Sequence, residues 1–523
     1  MRNKTNFHNF IREYRFPVLT ALIFSFLAFG TMLLYPSLTI DEEMSIFADS
    51  NYLPWIIQGR YGIQILNLLF SVHGRFVPVL WDVMAIVFWV LSGVILAYAL
   101  LFHFGRPSKI PLFVFLAYYS SLPFVMGEML GFSMMSAQVG LGMTSAALAI
   151  LYTEKFLEDP DYSQKKYFIF AVLFLFAGIS IFQAILTLYV TALLLYCLQR
   201  VLHHKTEIFK PILTGVVISI LALILYYIFL YLIVYIIYRS KLIYIDSYIG
   251  WTEDPSIAHA AFMAVANVAR VSFAITIEDV SIYGGYVVRT ASVLFILWSI
   301  YAFIKAKEKG EKPRILFLTV MTMFGPFSLY IAMGTYKTQG RMLLALPLVG
   351  AAALFYILEE SLHKKRLIRY AALIIAGYLL FLNARDMNTI NYYSYLRYEQ
   401  DRETASQIMY NIRRLGYNYH KKAVVFIGAY QTDFNEGTSS STIGASGSFF
   451  SWDDGNIGRM THFIETEGYQ LIMPEKSQIQ AALSETSDMK QWPQDGSVKE
   501  TDDTIIIYLS APTADWYITN GLK

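Results

Sequence analysis

YFIFAVLFLFAGISIFQAILTLYVTALLLYCLQ, residues 167–199, runs 33 positions without a charged side chain. As one helix rising 1.5 Å per residue it would be about 50 Å long, far beyond the ~30 Å hydrocarbon core of a bilayer. Two shorter spans that turn near 180–183 fit that thickness. The choice matters because it sets which side of a membrane every later segment faces. Lys/Arg placement tests it independently. With the N-terminus inside, the segments 1–16, 103–109, 154–166, 200–210, 305–314 and 359–369 are cytoplasmic and hold 21 Lys/Arg. The short outer segments hold eight: Arg60, Arg75, Arg239, Lys241, Arg270, Arg289, Lys337 and Arg341. Merging 167–199 into one span would put KAKEKGEKPR (305–314) outside, against that bias.

The rest of the chain reads consistently with this. Of 523 residues, 56% are hydrophobic, 16% aromatic and only 15% charged, with a mean hydropathy of +0.46. An ordinary soluble domain carries about 25% charge. A cytosolic globular enzyme and a disordered chain are excluded, and a net charge of +2 excludes nucleic acid as a partner. The lone cysteine, Cys197, excludes an intrachain disulfide and a cysteine-rich metal site, and its apolar surroundings mark it as packing. Eleven candidate spans follow: 17–35, 78–102, 110–127, 137–153, 167–181, 183–199, 211–238, 286–304, 315–334, 342–358 and 370–384. No small-residue cleavage site follows the first, which reads as a retained anchor. The apolar stretch 257–277, interrupted by His259, Asn267 and Arg270, reads as a helix lying on the outer surface.

Charge sets the domain boundary. Residues 1–384 carry 29 Lys/Arg and 21 Asp/Glu; residues 385–523 carry 12 and 18, a net of −6. The expected architecture is mainly α: a polytopic membrane domain over 1–384, with about eleven transmembrane helices and long outer loops at 36–77 and 239–285. A small outer α/β domain follows over 385–523. That domain is expected to hold a helix near 391–415, a buried strand AVVFIG (423–428), a helix near 456–468 and a last strand TIIIYLS (504–510). In 54–71, apolar residues recur at roughly helical spacing, which suits a helix in the membrane interface.

Several stretches carry chemical potential. IDEE (40–43) lies just outside the first span, where Asp41, Glu42 and Glu43 repel one another at a low-dielectric boundary and one is available as a general base. Helix capping by Thr39 or Asp41 explains the same residues. In WIIQGRYG (55–62), Arg60 has the fork to grip a phosphate, although Trp and Arg also anchor helices at interfaces. TYKTQGR (335–341) places Lys337 and Arg341 outside, against the charge bias, where they suit a departing lipid phosphate or plain headgroups. Asp82, Glu128, Gln138 and Gln183 fall at outward span ends and are candidates for a polar cavity. In GASGSFFSWDD (444–454), Trp452 and Asp453 offer an aromatic face beside a carboxylate, as a sugar acceptor wants. A domain-to-membrane contact accounts for Phe449, Phe450 and Trp452 as well and is preferred. Walker, dinucleotide-glycine, HExxH and Cys/His metal patterns are missing, so a soluble nucleotide donor has no seat.

An acidic pair after span one, a long outer first loop and many spans together resemble the GT-C class of membrane glycosyltransferases. The ordered series IDEE, GRYGIQILNLL, SIFQAILTLYV, RMLLALP, YLRYEQDRETASQI, GASGSFFSW and IIIYLS is more specific. It resembles the bacterial glucosyltransferase family of phage-type O-antigen serotype conversion, Gtr type II. That resemblance implies a multi-pass protein of the bacterial cytoplasmic (inner) membrane with its active site and C-terminal domain on the extracytoplasmic side. It implies an undecaprenyl phosphate-linked sugar donor, glucose by family default, and a surface glycan acceptor. Transfer from a β-linked lipid phosphate would invert the anomeric carbon. Mapped onto this chain, Asp41 becomes the base and Glu42 its orienting partner, with Arg341, Lys337 and Arg60 on the donor phosphate. No metal is required for a phosphate leaving group, yet Glu in place of a second Asp leaves divalent-metal assistance open. The rival reading is a flippase for a lipid-linked sugar. Transporters place ionisable groups near the midplane, where this chain has almost none.

Overall fold

The computed structural model describes residues 6–47, 54–71, 77, 79–158, 164–205, 207–239, 251, 256–275, 284–308, 310–334, 339–431 and 447–522. The chain divides into two compact units. One comprises Met1–Leu33 and Ser50–Asn388; the other comprises Leu34–Asp49 and Thr389–Lys523.

The first unit is helical. Among the described residues, eight helices are long and apolar enough to cross a membrane: Leu80–Phe102, Lys109–Leu130, Ser133–Glu158, Ile185–Leu202, Phe209–Ile237, Gly285–Lys305, Glu311–Met333 and Arg366–Arg414. The sequence led us to expect eleven. The other three expected spans fall on helices with identifiable shortcomings. Phe7–Ala28 carries Arg12, Glu13 and Arg15 in its first half. Lys165–Ile181 and Leu346–Leu362 have 17 residues each, about 25 Å of rise and a turn short of a bilayer core.

The apolar stretch 167–199 does break. Lys165–Ile181 ends where Phe182 turns extended (φ −154°, ψ 120°), and Ile185–Leu202 begins three residues later. Two glycines make the turn possible. A Cβ on Gly142 would lie 2.3 Å from Ile185 Cδ1, and one on Gly178 would lie 2.9 Å from Ile185 Cγ2. With no water to solvate them, hydroxyls bond across helices: Ser25 with Ser120 (2.7 Å), Ser92 with Tyr119 (3.0 Å), Thr153 with Tyr189 (2.9 Å). Cys197 is buried among its apolar neighbours.

Polarity is inverted at the periphery. In the short helix Tyr61–Phe70, Gln64 and Asn67 are buried while Leu68, Leu69 and Phe70 are exposed. Phe209–Ile237 likewise turns Ile220, Ile224 and Ile228 outward. Such surfaces suit acyl chains, not water. The expected surface helix near 257–277 is the helix Ile257–Ser272, capped by Ser256 accepting from His259 N (3.1 Å). Pro123 shapes the inner path. It forces Leu122 out of the helical region (ψ 115°), and the chain resumes as a wide π turn, Pro123–Gly127, before Glu128.

In the second unit, β1 (Ala423–Ile427), β2 (Val498–Glu500) and β3 (Thr504–Tyr508) form one sheet in the order β1-β3-β2. β1 and β3 are parallel, with Ala423 opposite Thr504; β3 and β2 are antiparallel. β1 is buried throughout, as a strand covered on both faces should be. Around the sheet pack Ile408 and Ile412, Phe463 and Ile464 of the helix Ile457–Thr466, and Ile479 of the helix Lys476–Ser484. The expected span 370–384 and helix 391–415 are one uninterrupted helix, Arg366–Arg414. Neither Gly nor Pro occurs between Gly377 and Gly416, so nothing stops it. β2, Lys476–Ser484 and the terminal helix Ala514–Thr519 were not anticipated.

Ile40 belongs to this second core. It is 2% exposed and clusters with the sheet residues. An apolar anchor next to the acids therefore pins IDEE to the C-terminal fold.

Candidate functional site

In the second unit, three carboxylates close on one guanidinium. Arg459, in the third position of the helix Ile457–Thr466, donates from Nη2 to Asp41 Oδ1 (2.8 Å), from Nη1 to Glu43 Oε1 (2.6 Å) and from Nε to Asp453 Oδ2 (2.8 Å). Asn456 caps that helix by accepting from Arg459 N, which orients the side chain toward the acids. The loops presenting the acids are strained. Asp41 has φ +78°, and Asp453, Asp454 and Gly455 are all left-handed. Side chains tolerate such backbone mainly where a site demands it.

The three acids differ in environment. The Asp41 side chain is 44% exposed and reachable from solvent; that of Glu43 is 0% exposed, and its Oε2 has no partner among the described residues. Glu42 is buried, and its Oε2 accepts from Thr39 N (2.9 Å), bracing the turn that presents Asp41. Burial pushes Glu43 up to about 7, although Arg459 pulls the other way. Burial opposes the charge on Arg459, and the facing Glu43 and Asp41 more than offset it, so its affinity for the proton rises. One cation among three carboxylates leaves surplus negative charge, and the most deeply buried acid is the one that takes up a proton.

That shift carries a stability consequence. The folded chain holds the Glu43 proton up to about pH 7, whereas an ordinary carboxyl releases it near 4.5. Glu43 therefore contributes stability below about pH 4.5 that is lost as pH rises through 7, by up to about 1.4 kcal/mol per pH unit. Glu43→Gln is expected to flatten the fall in thermal midpoint between about pH 5 and pH 8. A Gln variant with the wild-type slope would show that another group titrates there.

A divalent cation does not fit this donor set as it stands, since all three carboxylates face the Arg459 charge. Elsewhere among the described residues, ligand atoms come within 4.8 Å in His103/Glu154/Glu158 and in His204/Glu308/Glu311. In the first, the imidazole is clasped between the two carboxylates.

The first unit gathers a second set. Glu128 accepts from Gly340 N (2.7 Å) and from Arg341 Nη1 (2.6 Å), and the Arg341 guanidinium lies 4.4 Å from the centre of the Phe132 ring. Gly340 is required for this fit, because a Cβ there would lie 1.9 Å from Phe124 O. Arg60 lies 4.7 Å from the Phe182 ring centre and reaches Met135 Sδ, one turn from Phe132. Gln183 donates to Gln58 O and to Tyr226 OH, holding the turn before Arg60, while Gln138 donates to Asn67 Oδ1 (2.6 Å). Asp82 accepts from Ser136. Arg60, Glu128, Gln138, Gln183 and Arg341 thus share one neighbourhood; Lys337 lies outside the described residues.

The aromatic loop departs from expectation in part. Phe449 and Phe450 are core residues, Phe449 stacking on Phe463 at 4.2 Å. They meet neither membrane nor sugar, because Asp401 accepts from Phe449 N and Ser448 Oγ and draws the loop inward. Trp452 remains half-buried beside Asp453. Arg459 was not singled out from sequence. An Arg three residues after a capping Asn, following an acidic loop, is too common a pattern to have done so.

A family model described as Glucosyl transferase GtrII matches residues 30–358. No curated protein and no solved structure matches the chain. The matched stretch includes Asp41, Arg60, Glu128 and Arg341, whereas Trp452, Asp453 and Arg459 fall beyond it.

Proposed function

The chain belongs to the GtrII glucosyl transferase family, and from that membership we propose that it moves glucose from undecaprenyl phosphate to a surface glycan on the outer face of the bacterial cytoplasmic membrane. That it is a glycosyltransferase follows from the family, and that it is a membrane protein fits its apolar helices. The donor, the side and the stereochemistry are our reading.

In this reading Asp41 takes the proton from an acceptor hydroxyl. The freed oxygen attacks the anomeric carbon, and the bond to the lipid phosphate breaks with its electron pair leaving on phosphate. A single displacement inverts the carbon. The observation that carries this reading is the held, half-exposed carboxylate of Asp41: one oxygen bonded to Arg459, the side chain open to solvent. The orienting part first given to Glu42 passes to Arg459, since Glu42 braces the backbone. On the donor side, Arg341 and Arg60 neutralise the phosphate as charge develops, with Glu128 positioning Arg341. A fixed guanidinium costs little reorganisation at that moment. Lys337 is assigned to the same phosphate. Trp452 and Asp453 receive the acceptor glycan.

Arg341→Ala is expected to raise the KM for the donor at least about tenfold, as loss of a charge-assisted contact does, and to leave the acceptor KM near wild type. Unchanged donor kinetics would make Arg341 a headgroup anchor. The whole reading is tested with purified protein in detergent, labelled undecaprenyl phosphate glucose and candidate glycans. A new glycosidic product with no sealed membrane present distinguishes transfer from a flippase. Movement of intact donor across vesicles without product would favour the flippase.

A further inference from the structure

A groove of about 400 Å³ separates the start of Gly285–Lys305 from the first half of Arg366–Arg414. Its walls are mostly apolar, Ile375, Tyr378, Leu379 and Leu382 facing Thr290, with Tyr286 and Arg385 at one end. Ile375 and Tyr378 are exposed, on helices whose outward faces suit acyl chains. From Ile375 to Arg385 the groove follows about 15 Å of helix.

Its polar end is built. Arg385 donates from Nε (2.9 Å) and Nη2 (2.7 Å) to Asp386 Oδ1, and Nη2 also meets Tyr286 OH, which donates to Asp386 Oδ2. The remaining Arg385 nitrogen, Nη1, has no partner among the described residues, and the side chain is half-exposed. This end abuts the turn that bears Glu128. A Cβ on Gly284 would lie 3.3 Å from Asp386 Oδ2 and 3.5 Å from Pro123 Cγ, and one on Gly127 would lie 2.7 Å from Met387 Sδ. Glu128 comes next and grips Arg341. An apolar trough, a fixed cation at its mouth and the Glu128–Arg341 pair thus form a continuous series within one unit.

We infer that this groove seats the apolar chain of a polyprenyl phosphate, with Arg385 as a further contact for the phosphate. The inference rests on the donor assigned above. A chain anchored in lipid reaches a headgroup-level site only by sliding between helices, because irregular or polar surface cannot face hydrocarbon. This groove offers apolar walls along the chain and a hydrogen-bonded cation where the chain ends. An ordinary phospholipid shares the same chemistry, so the test separates the two.

The full-length protein in nanodiscs is irradiated with undecaprenyl phosphate bearing a diazirine on an early isoprene unit. Cross-links are expected in 286–290 or 375–385. Excess unlabelled undecaprenyl phosphate should erase them, and about a hundredfold excess of phosphatidylglycerol should not. Labelling elsewhere, or erasure by phosphatidylglycerol, overturns the assignment. Ile375→Trp, at an exposed position, is expected to raise KM for the undecaprenyl donor about tenfold while changing that for a ten-carbon donor less than about twofold. Equal effects on both donors would count against a tail seat. If the wild-type protein transfers from no polyprenyl donor yet cross-links specifically in the groove, the transfer reading fails and the groove stands. If transfer proceeds and labelling avoids the groove, the reverse holds.

Discussion

Asp41→Asn is expected to lower the rate of glucosyl transfer at least about 10²-fold, the scale of a lost general base. The substitution is close to isosteric, and the amide oxygen still accepts from Arg459 Nη2, now 2.8 Å from Asp41 Oδ1. The strained turn should survive too, since Asn tolerates a left-handed φ as readily as Asp. What the amide cannot do is take a proton. The measured pattern should therefore be a fall in kcat with a thermal midpoint near wild type. Glu43→Gln supplies the contrast. Its carboxylate is fully buried, so it touches no acceptor and should leave far more activity than Asp41→Asn. Should the two variants trade places, the buried acid would be the base and Asp41 a strut. Near wild-type turnover in Asp41→Asn would end the assignment outright.

How much of this was legible in the sequence depends on the range of the interactions involved. Helix existence was legible, because apolar runs are local; even the break in 167–199 could be inferred from bilayer thickness, and it falls at Phe182. Span boundaries were less so. Lys165–Ile181 and Leu346–Leu362 are short, as expected of 167–181 and 342–358, with 17 residues each and starts shifted by two and four residues. The 49-residue helix Arg366–Arg414 was split in expectation because its composition changes from apolar to charged, although neither Gly nor Pro lies between Gly377 and its end. Composition marks solvent, whereas only Gly, Pro and caps mark helix ends. The acids of IDEE stood out as a local cluster, but their partner did not: Arg459 is 418 residues from Asp41. Ile40, the residue that ties the acids to the sheet, is a single apolar residue whose partners lie hundreds of positions away. Phe449 and Phe450 misled for the converse reason. Aromatics clustered on a loop read as a domain-to-membrane contact, or as a sugar platform, until Asp401, some 47 residues upstream, is seen accepting the loop's hydrogen bonds.

Replacing Arg459 should have the broadest effect of any substitution in the second unit. Its side chain is 11% exposed and is the hydrogen-bond centre for Asp41, Glu43 and Asp453. Arg459→Met keeps the aliphatic volume and removes the charge, leaving carboxylates, one of them fully buried, without a counterion. Removing one partner of a buried ion pair costs about 3–5 kcal/mol, and transfer should fall with it because Asp41 loses its orientation. Arg459→Lys should recover only part of this, since an ammonium is a point charge and cannot present the three-way fork that the guanidinium does. The damage should also be localised. Backbone amides of residues 39–47 should exchange faster in Arg459→Met, while those of β1 and β3, buried in the sheet, stay protected. Acid should relieve it: without Arg459 to pull the other way, Glu43 holds its proton to higher pH than in wild type, so the gap to wild type narrows as pH falls toward about 7. A gap that is constant from about pH 9 to pH 7 would mean that the loss came from packing, and that the guanidinium is not what holds the acids together.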